Sequence, residues 1–286
     1  MTTIGDWRLS LRARLRPVAG DLAPYEADRL VSEVAGGGPT ELTLRFRETL
    51  TAAQEARLTT LAAARLQGRP LAYVLGHVEF AGLDLLCDER ALIPRPETEE
   101  LVFIALESLP PASGRRLLVI DVGTGSGNIA LALAQRRPDL IVIATDVSME
   151  ALALAKANRA RTGLEARVHF VCGRSLTIIR PGSGVEMIVS NPPYVAPRDP
   201  NLDPSVHAHE PHAALFPGPV GTEAIAELVN QAGAVLRPGG GLVCEVGYDQ
   251  GPAVRAMIQA VAGWDEPVLH RDMAGIERVL AVRRLT

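Results

Sequence analysis

The chain has 286 residues, 47% of them hydrophobic and 22% charged, the balance of a folded protein and not of a disordered one. That length suffices for one large domain or for two unequal ones. A net charge of −4 provides no general basic field for a nucleic-acid backbone, so no direct nucleic-acid partner is expected.

In chain order, the opening MTTIGDWRLSLRARLRP lacks a long apolar core and reads as neither signal peptide nor membrane span; a cytoplasmic location without a membrane partner is expected. Residues 1–76 read as a small unit of short helices. An apolar pattern over Arg29–Val34 stops at GGGP, and Thr51 caps a helix through Arg65, with Gln54 in capping-box position and Gly68 just past its end. HVEF and LDLLC, around Ala81-Gly82, predict a hairpin linker over 77–90, although Ala-Gly is a weak turn pair. From residue 91 to 286 the texture becomes α/β. A helix starts after Pro96, with Glu97, Glu99 and Glu100 in its positive first turn. Leu117–Ile120, Leu140–Ala144 and Met187–Val189 are unbroken apolar runs, as parallel strands covered on both faces require. Helices fall between them, over Asn128–Arg136 and over Met149–Arg161, the latter capped by Ser148 and stopped by Gly163. The alternation predicts a doubly wound, Rossmann-like sheet.

The first strand of that sheet runs into VIDVGTGSGNIALAL, and the second ends at Asp146. In such sheets the carboxyl ends of the strands form the ligand crevice, where an acid ending the second strand holds a ribose diol. Glycines at 123, 125 and 127 let a ligand approach the backbone. The spacing is GxGxG, with Asn128 where a dinucleotide site wants glycine, and Asp121 would face a pyrophosphate with like charge. S-adenosylmethionine carries an ammonium and a sulfonium, which favour a nearby carboxylate. The methyl donor is therefore expected on Asp121, Gly123, Thr124, Gly125, Ser126, Gly127 and Asp146; the bland alternative is a tight strand-to-helix turn with no ligand.

The third strand runs into Asn191-Pro192-Pro193-Tyr194. Each proline removes a backbone donor and pushes the residue before it towards extended geometry. The Asn191 side-chain oxygen and the Pro192 carbonyl then stand together as acceptors suited to a planar NH₂ group, with Tyr194 lying on its flat face or closing the site. An amide or exocyclic amine nitrogen is a weak nucleophile, because its lone pair is delocalised. Accepting both of its N–H protons returns density to nitrogen and aims it, and the rate gain comes from positioning and preorganised dipoles. As a bland alternative, Asn-Pro merely breaks a strand into a loop.

Together IPRPETEELV, DVGTGSGNIALAL, IVSNPPY, EPHAALF, LRPGGGLVCEVGYDQG and RDMAGIERVLAV closely resemble the bacterial peptide chain release factor glutamine N5-methyltransferases. The likeness is strong over residues 70–286 and looser in the helical N-terminus. It implies a class I methyltransferase fold, S-adenosyl-L-methionine as donor and S-adenosyl-L-homocysteine as product. The implied substrate is the glutamine amide of the GGQ motif in class I peptide chain release factors, docked with help from the helical unit. It further implies that Asn191, Pro192, Pro193 and Tyr194 grip the amide, with Asn191 also near the donor, and that Arg95 and Pro96 sit over the donor pocket. Where the family usually places an acid beside the adenine, this chain has Arg174 and Ser175; Ser175 is the expected pocket-lining position. NPPY alone is shared with nucleic-acid amino-methyltransferases, which an electropositive cleft would favour. A non-catalytic release-factor-binding module is the other alternative.

His207, His209, Glu210 and His212 lack the helical HExxH spacing, so no metal is expected. Three widely spaced cysteines, Cys87, Cys172 and Cys244, make neither a disulfide framework nor a metal pair; Cys172 is expected to be a buried strand residue.

Overall fold

The computed structural model describes residues 2–196 and 204–285. The chain divides into two compact units, one formed by residues up to 77 with 204–209, the other by the remainder.

The first unit is helical: α1 (Ile4–Ala19), α2 (Ala23–Ala35), α3 (Pro39–Leu44), α4 (Ala52–Leu66) and α5 (Leu71–Leu75). Two full capping boxes start α1 and α4, Thr3 with Asp6 and Thr51 with Gln54, satisfying amides that helix geometry leaves orphaned. Leu11, Leu15, Leu30, Leu42 and Leu58 form its buried core. One buried ion pair crosses that core, Glu26 accepting from Arg65 Nε at 2.7 Å and from Nη2 at 3.1 Å.

The second unit begins with a hairpin, β1 (His77–Phe80) and β2 (Leu83–Leu86). Its turn takes positive φ at both Ala81 (51°) and Gly82 (82°), the pattern that favours tight hairpins even though alanine is strained there. Next come α6 (Glu97–Ser108), β3 (Leu117–Val122), α7 (Asn128–Arg136), β4 (Leu140–Asp146), α8 (Met149–Thr162), β5 (Val168–Cys172) and β6 (Val185–Ser190). Two short helices, α9 (Pro204–His209, part of the first unit) and α10 (His212–Leu215), precede α11 (Glu223–Val235), β7 (Leu236–Glu245), α12 (Gly251–Gln259), β8 (Val268–Arg271) and β9 (Glu277–Arg283).

Seven strands form one sheet in the order β5-β4-β3-β6-β7-β9-β8. β3 to β7 are parallel to their neighbours, while β9 runs antiparallel to β7 and β8 antiparallel to β9. Successive side chains enter opposite cores, as strand geometry demands: Val119, Met187, Val189 and Val243 pack with α6 and α7, Ile120, Ile188, Leu242 and Cys244 with α11 and α12. The doubly wound expectation holds, with an antiparallel end added. Cys172 departs from its expected burial: it is exposed, because β5 is the sheet's edge strand.

The hairpin is tied to the sheet by Asn158 of α8, fully buried. Its Oδ1 accepts from Leu86 N at 2.7 Å, and its Nδ2 donates to Leu86 O at 3.1 Å and Ser126 O at 3.0 Å. One side chain thus holds β2 and the glycine turn against the same helix. Asn158→Leu leaves those backbone groups without their side-chain partner, at a cost of roughly 2–4 kcal/mol. The urea midpoint of the variant should fall accordingly, and an unchanged midpoint would show the link to be dispensable.

Candidate active site

Strand order reverses beside β3, which has β4 on one side and β6 on the other. Val122 is in register with Thr145 on β4 and with Ser190 on β6, and Ser190 Oγ donates to Val122 O at 2.7 Å. The glycine turn, Asp146 and the NPPY segment therefore leave three adjacent strands at the same edge, the crevice position of open α/β sheets. A cavity of about 640 Å³ lies there, within the range of small-molecule sites. Residues 123–126, Asp146, Ser175 and 191–193 line it, together with Arg95 and Thr98. Asp121, Gly127 and Tyr194 stand behind the lining, and Pro96 lies outside it, Pro94 taking that place.

Backbone geometry explains the glycines. Gly123, Gly125 and Gly127 have φ of 73°, 54° and 84°, the region that side chains disfavour. A Cβ on Gly123 would meet no atom within 4 Å, whereas one on Gly127 would come within 3.2 Å of Ala155. The turn is held by Gly123 N and Thr124 N, both donating to Thr145 O at 2.9 Å. Asp146 accepts from Gly125 N at 2.9 Å through Oδ2 and from Ser148 N at 2.8 Å through Oδ1.

Asp121 is fully buried. Its Oδ2 accepts from Thr124 Oγ1 at 2.6 Å and from Ala130 N at 3.2 Å, while its Oδ1 has no partner among the described residues. Burial pushes the carboxyl up to about 7 against the pull of those two hydrogen bonds, and the charge of Asp146 adds to the rise.

The NPPY segment is braced from three directions. Asn191 Nδ2 donates to Thr98 Oγ1 at 3.0 Å. Thr98 Oγ1 donates to Glu245 Oε2 at 2.7 Å, and Tyr194 OH to Glu245 Oε1 at 2.9 Å. Gln250 Nε2 donates to Tyr194 O at 2.9 Å and to Gly221 O at 3.2 Å. Burial raises the Glu245 carboxyl, opposed by its two hydroxyl donors and by the charge of Arg278; burial and the Glu245 charge raise the Tyr194 phenol. Tyr194 is thus anchored by its hydroxyl to Glu245, which fixes the position of its ring beside the NPPY segment.

At the rim, Arg95 pairs with the buried Glu210, whose other oxygen accepts from Ile93 N at 3.1 Å. Arg174 pairs with Glu227 at 2.9 Å, and Ser175 beside it has φ of 50°. Among the described residues no group of histidines, cysteines and carboxylates converges as metal ligands, and no helix is long and apolar enough to cross a membrane.

Comparison with known proteins accords with this geometry. The methyltransferase small domain model matches residues 103–207, and the PrmC N-terminal domain model residues 6–76. A release factor glutamine methyltransferase of Koribacter versatilis is 42% identical over 238 residues, covering 83% of this chain and 82% of that one. Its counterpart from Moorella thermoacetica is 40% identical over 285 residues, with 96% and 99% covered. This chain belongs to the release factor glutamine methyltransferases. A solved methyltransferase from Pyrococcus furiosus, 18% identical, shares the fold at a TM-score of 0.51, covering 82% of this chain and all of that one.

Against the pattern of this methyltransferase family, four polar residues around the site escape the sequence reading in the roles the structure gives them: Thr98, Glu210, Glu227 and Glu245. Glu245 leaves a trace, a lone charge inside the apolar run LVCEV. Glu186 in VEMIV looks the same, yet it accepts from Arg115 and Arg237 near the start of β6. Only strand direction separates the two.

Between the ordinary aspartate value of 3.8 and about 7, the folded chain keeps a proton on Asp121 that the unfolded chain has lost. Stability from this group therefore falls as pH rises through that window and is level above it. Asp121→Asn removes the dependence. In urea unfolding at about pH 5 and about pH 8, the variant should gain on the wild type by on the order of 2 kcal/mol more at the higher pH. An equal difference at both would mean that Asp121 titrates normally.

Proposed function

We propose that the chain transfers a methyl group from S-adenosyl-L-methionine to the side-chain amide nitrogen of the glutamine in the GGQ motif of class I peptide chain release factors, releasing S-adenosyl-L-homocysteine. The observation that carries this reading is the register of β3 with β6, which sets the glycine turn and NPPY against one cavity. Family membership supplies the substrate.

The residues present fit the donor. Asp121 has a buried oxygen at the turn with no partner among the described residues, suited to a cationic amine. Gly123 leaves open space where a side chain would stand. Asp146 is assigned the ribose, Ser175 and its neighbours the adenine, and Arg95 the roof of the pocket. Glu227 balances the charge of Arg174, so the family's missing acid does not leave the adenine side cationic. When bound, S-adenosylmethionine supplies a methyl carbon already activated by its sulfonium.

The chain's own task is to aim the nitrogen. Asn191 Oδ1 accepts no hydrogen bond among the described residues, and Pro192 has no N–H to compete with its carbonyl. These two oxygens accept the two N–H protons of the glutamine carboxamide, stop it rotating and raise the electron density on nitrogen. A strong general base is unnecessary, because the proton turns acidic only as the new N–C bond forms. The site fixes geometry and excludes water, the kind of preorganisation that carries most of such a rate gain. Docking of the release factor is assigned to the helical N-terminal unit, and action on release factors places the enzyme in the cytoplasm.

Methylation of a nucleic-acid amine is less well supported. The cavity lining holds five carboxylates, Glu89, Asp146, Glu150, Glu223 and Glu227, against Arg90, Arg95 and Arg174, and each of those arginines is paired with an acid.

The direct test uses methyl-labelled donor and purified release factor. Label should enter the intact protein and disappear when the GGQ glutamine is replaced; labelling that survives the replacement would sink the reading. Asn191→Ala should cut transfer by roughly 100-fold or more with donor affinity little changed, and normal turnover would remove Asn191 from its role. Asp146→Ala should raise the apparent KM for the donor about tenfold or more, and an unaltered KM would reject the ribose assignment.

A further inference from the structure

Thr98, Glu245 and the Tyr194 hydroxyl take no direct part in gripping the substrate, yet with Asn191 they form one chain of hydrogen bonds whose protons can be counted. Resting on the reading that Asn191 holds the glutamine carboxamide, we propose that Glu245, acting through Thr98, is a positioning residue that decides which way round the Asn191 carboxamide faces, presenting its oxygen and not its NH₂ group to the substrate.

The count begins at Glu245. In its ionised form Glu245 only accepts, and its two separate oxygens then take the two hydroxyls, Thr98 at 2.7 Å and Tyr194 at 2.9 Å. Thr98 has a single hydroxyl proton and donates it there. Only lone pairs then remain on Thr98 Oγ1 for its other neighbour, Asn191, at 3.0 Å. An amide oxygen in that position would set lone pair against lone pair, whereas an amide nitrogen supplies the missing proton. Asn191 Nδ2 is therefore committed to Thr98, and Oδ1 is left for the cavity that Asn191 lines. Turned over, the same side chain would meet the N–H groups of an incoming carboxamide donor to donor.

Burial keeps the chain of hydrogen bonds in place: Thr98 and Glu245 are 1% and 2% exposed, so bulk water scarcely competes for the bonds between them. The members come from α6, from the end of β6 and from the end of β7, so the orientation is imposed by the assembled fold and not by the NPPY segment itself.

The test compares Thr98→Val, which keeps the shape and removes the hydroxyl, with Thr98→Ser, which keeps the hydroxyl. Rates are measured with purified release factor, and affinity for S-adenosylmethionine by calorimetry. Thr98→Val should lose roughly 10- to 100-fold in kcat, with donor affinity within about twofold of wild type, and Thr98→Ser should recover most of the rate. Full activity in the valine variant, or equal loss in both variants, overturns the proposal. A readout independent of turnover and of any variant's folding uses the wild-type protein. In its ¹⁵N–¹H spectrum, the Asn191 side-chain NH₂ pair, identified by its disappearance in Asn191→Ala, should show one proton shifted and slow to exchange with solvent. Two protons exchanging as fast as those of exposed asparagines overturn it equally. A wild type that methylates no release factor yet shows the protected proton would fail the functional reading alone.

Discussion

The parallel pairing of β3 with β6 is the constraint on which the site depends. It joins Val122 to Ser190 across 68 positions of sequence, and the two segments that leave those strands have no other reason to be neighbours. Strand pairing costs loop-closure entropy before any contact rewards it; here the reward is two buried apolar faces, one under α6 and α7 and the other under α11 and α12. The crevice is a by-product of that packing. Helices cross to opposite faces on either side of β3, which leaves a crevice between them at the strand ends.

The second unit buries carboxylates and supplies them with different kinds of partner. Glu210 has an arginine and a backbone amide; Glu186 has two arginines; Glu245 has two hydroxyls. Burying a charge is costly unless it is paired or hydrogen-bonded. The partners therefore sort the acids by use. Arginine-paired acids are neutralised struts, whereas Glu245 orders hydrogen bonds and Asp121 keeps one oxygen without a partner among the described residues.

Much of this was readable from local residue order. Thr51 with Gln54, Ser148 and Gly163 mark helix ends because capping is a matter of three or four adjacent positions. The unbroken apolar runs of β3, β4 and β6 announce strands covered twice, and the glycine turn and NPPY announce themselves by backbone chemistry. What escaped was non-local. Thr98 looks like one more polar residue in a first helical turn until β7 brings Glu245 to it from 147 positions away. Cys172 belongs to a strand as apolar as its neighbours, and no property of that strand reveals that it lies at the sheet's edge. The antiparallel end of the sheet also went unread, because the pairing of β9 with β7 and of β8 with β9 is set by contacts between distant segments.

The three glycines of the turn also answer to different masters. At Gly127 any added carbon would press on Ala155, Leu131 and Phe170, so the fold itself demands glycine there. Gly123 faces empty space, and although its φ of 73° is unusual, asparagine or aspartate can adopt it. In a descendant that had abandoned its ligand, Gly127 would persist as a fossil of the architecture, while Gly123 would be free to drift. A genome survey should therefore take Gly127 as a marker of ancestry and Gly123 as a marker of retained chemistry.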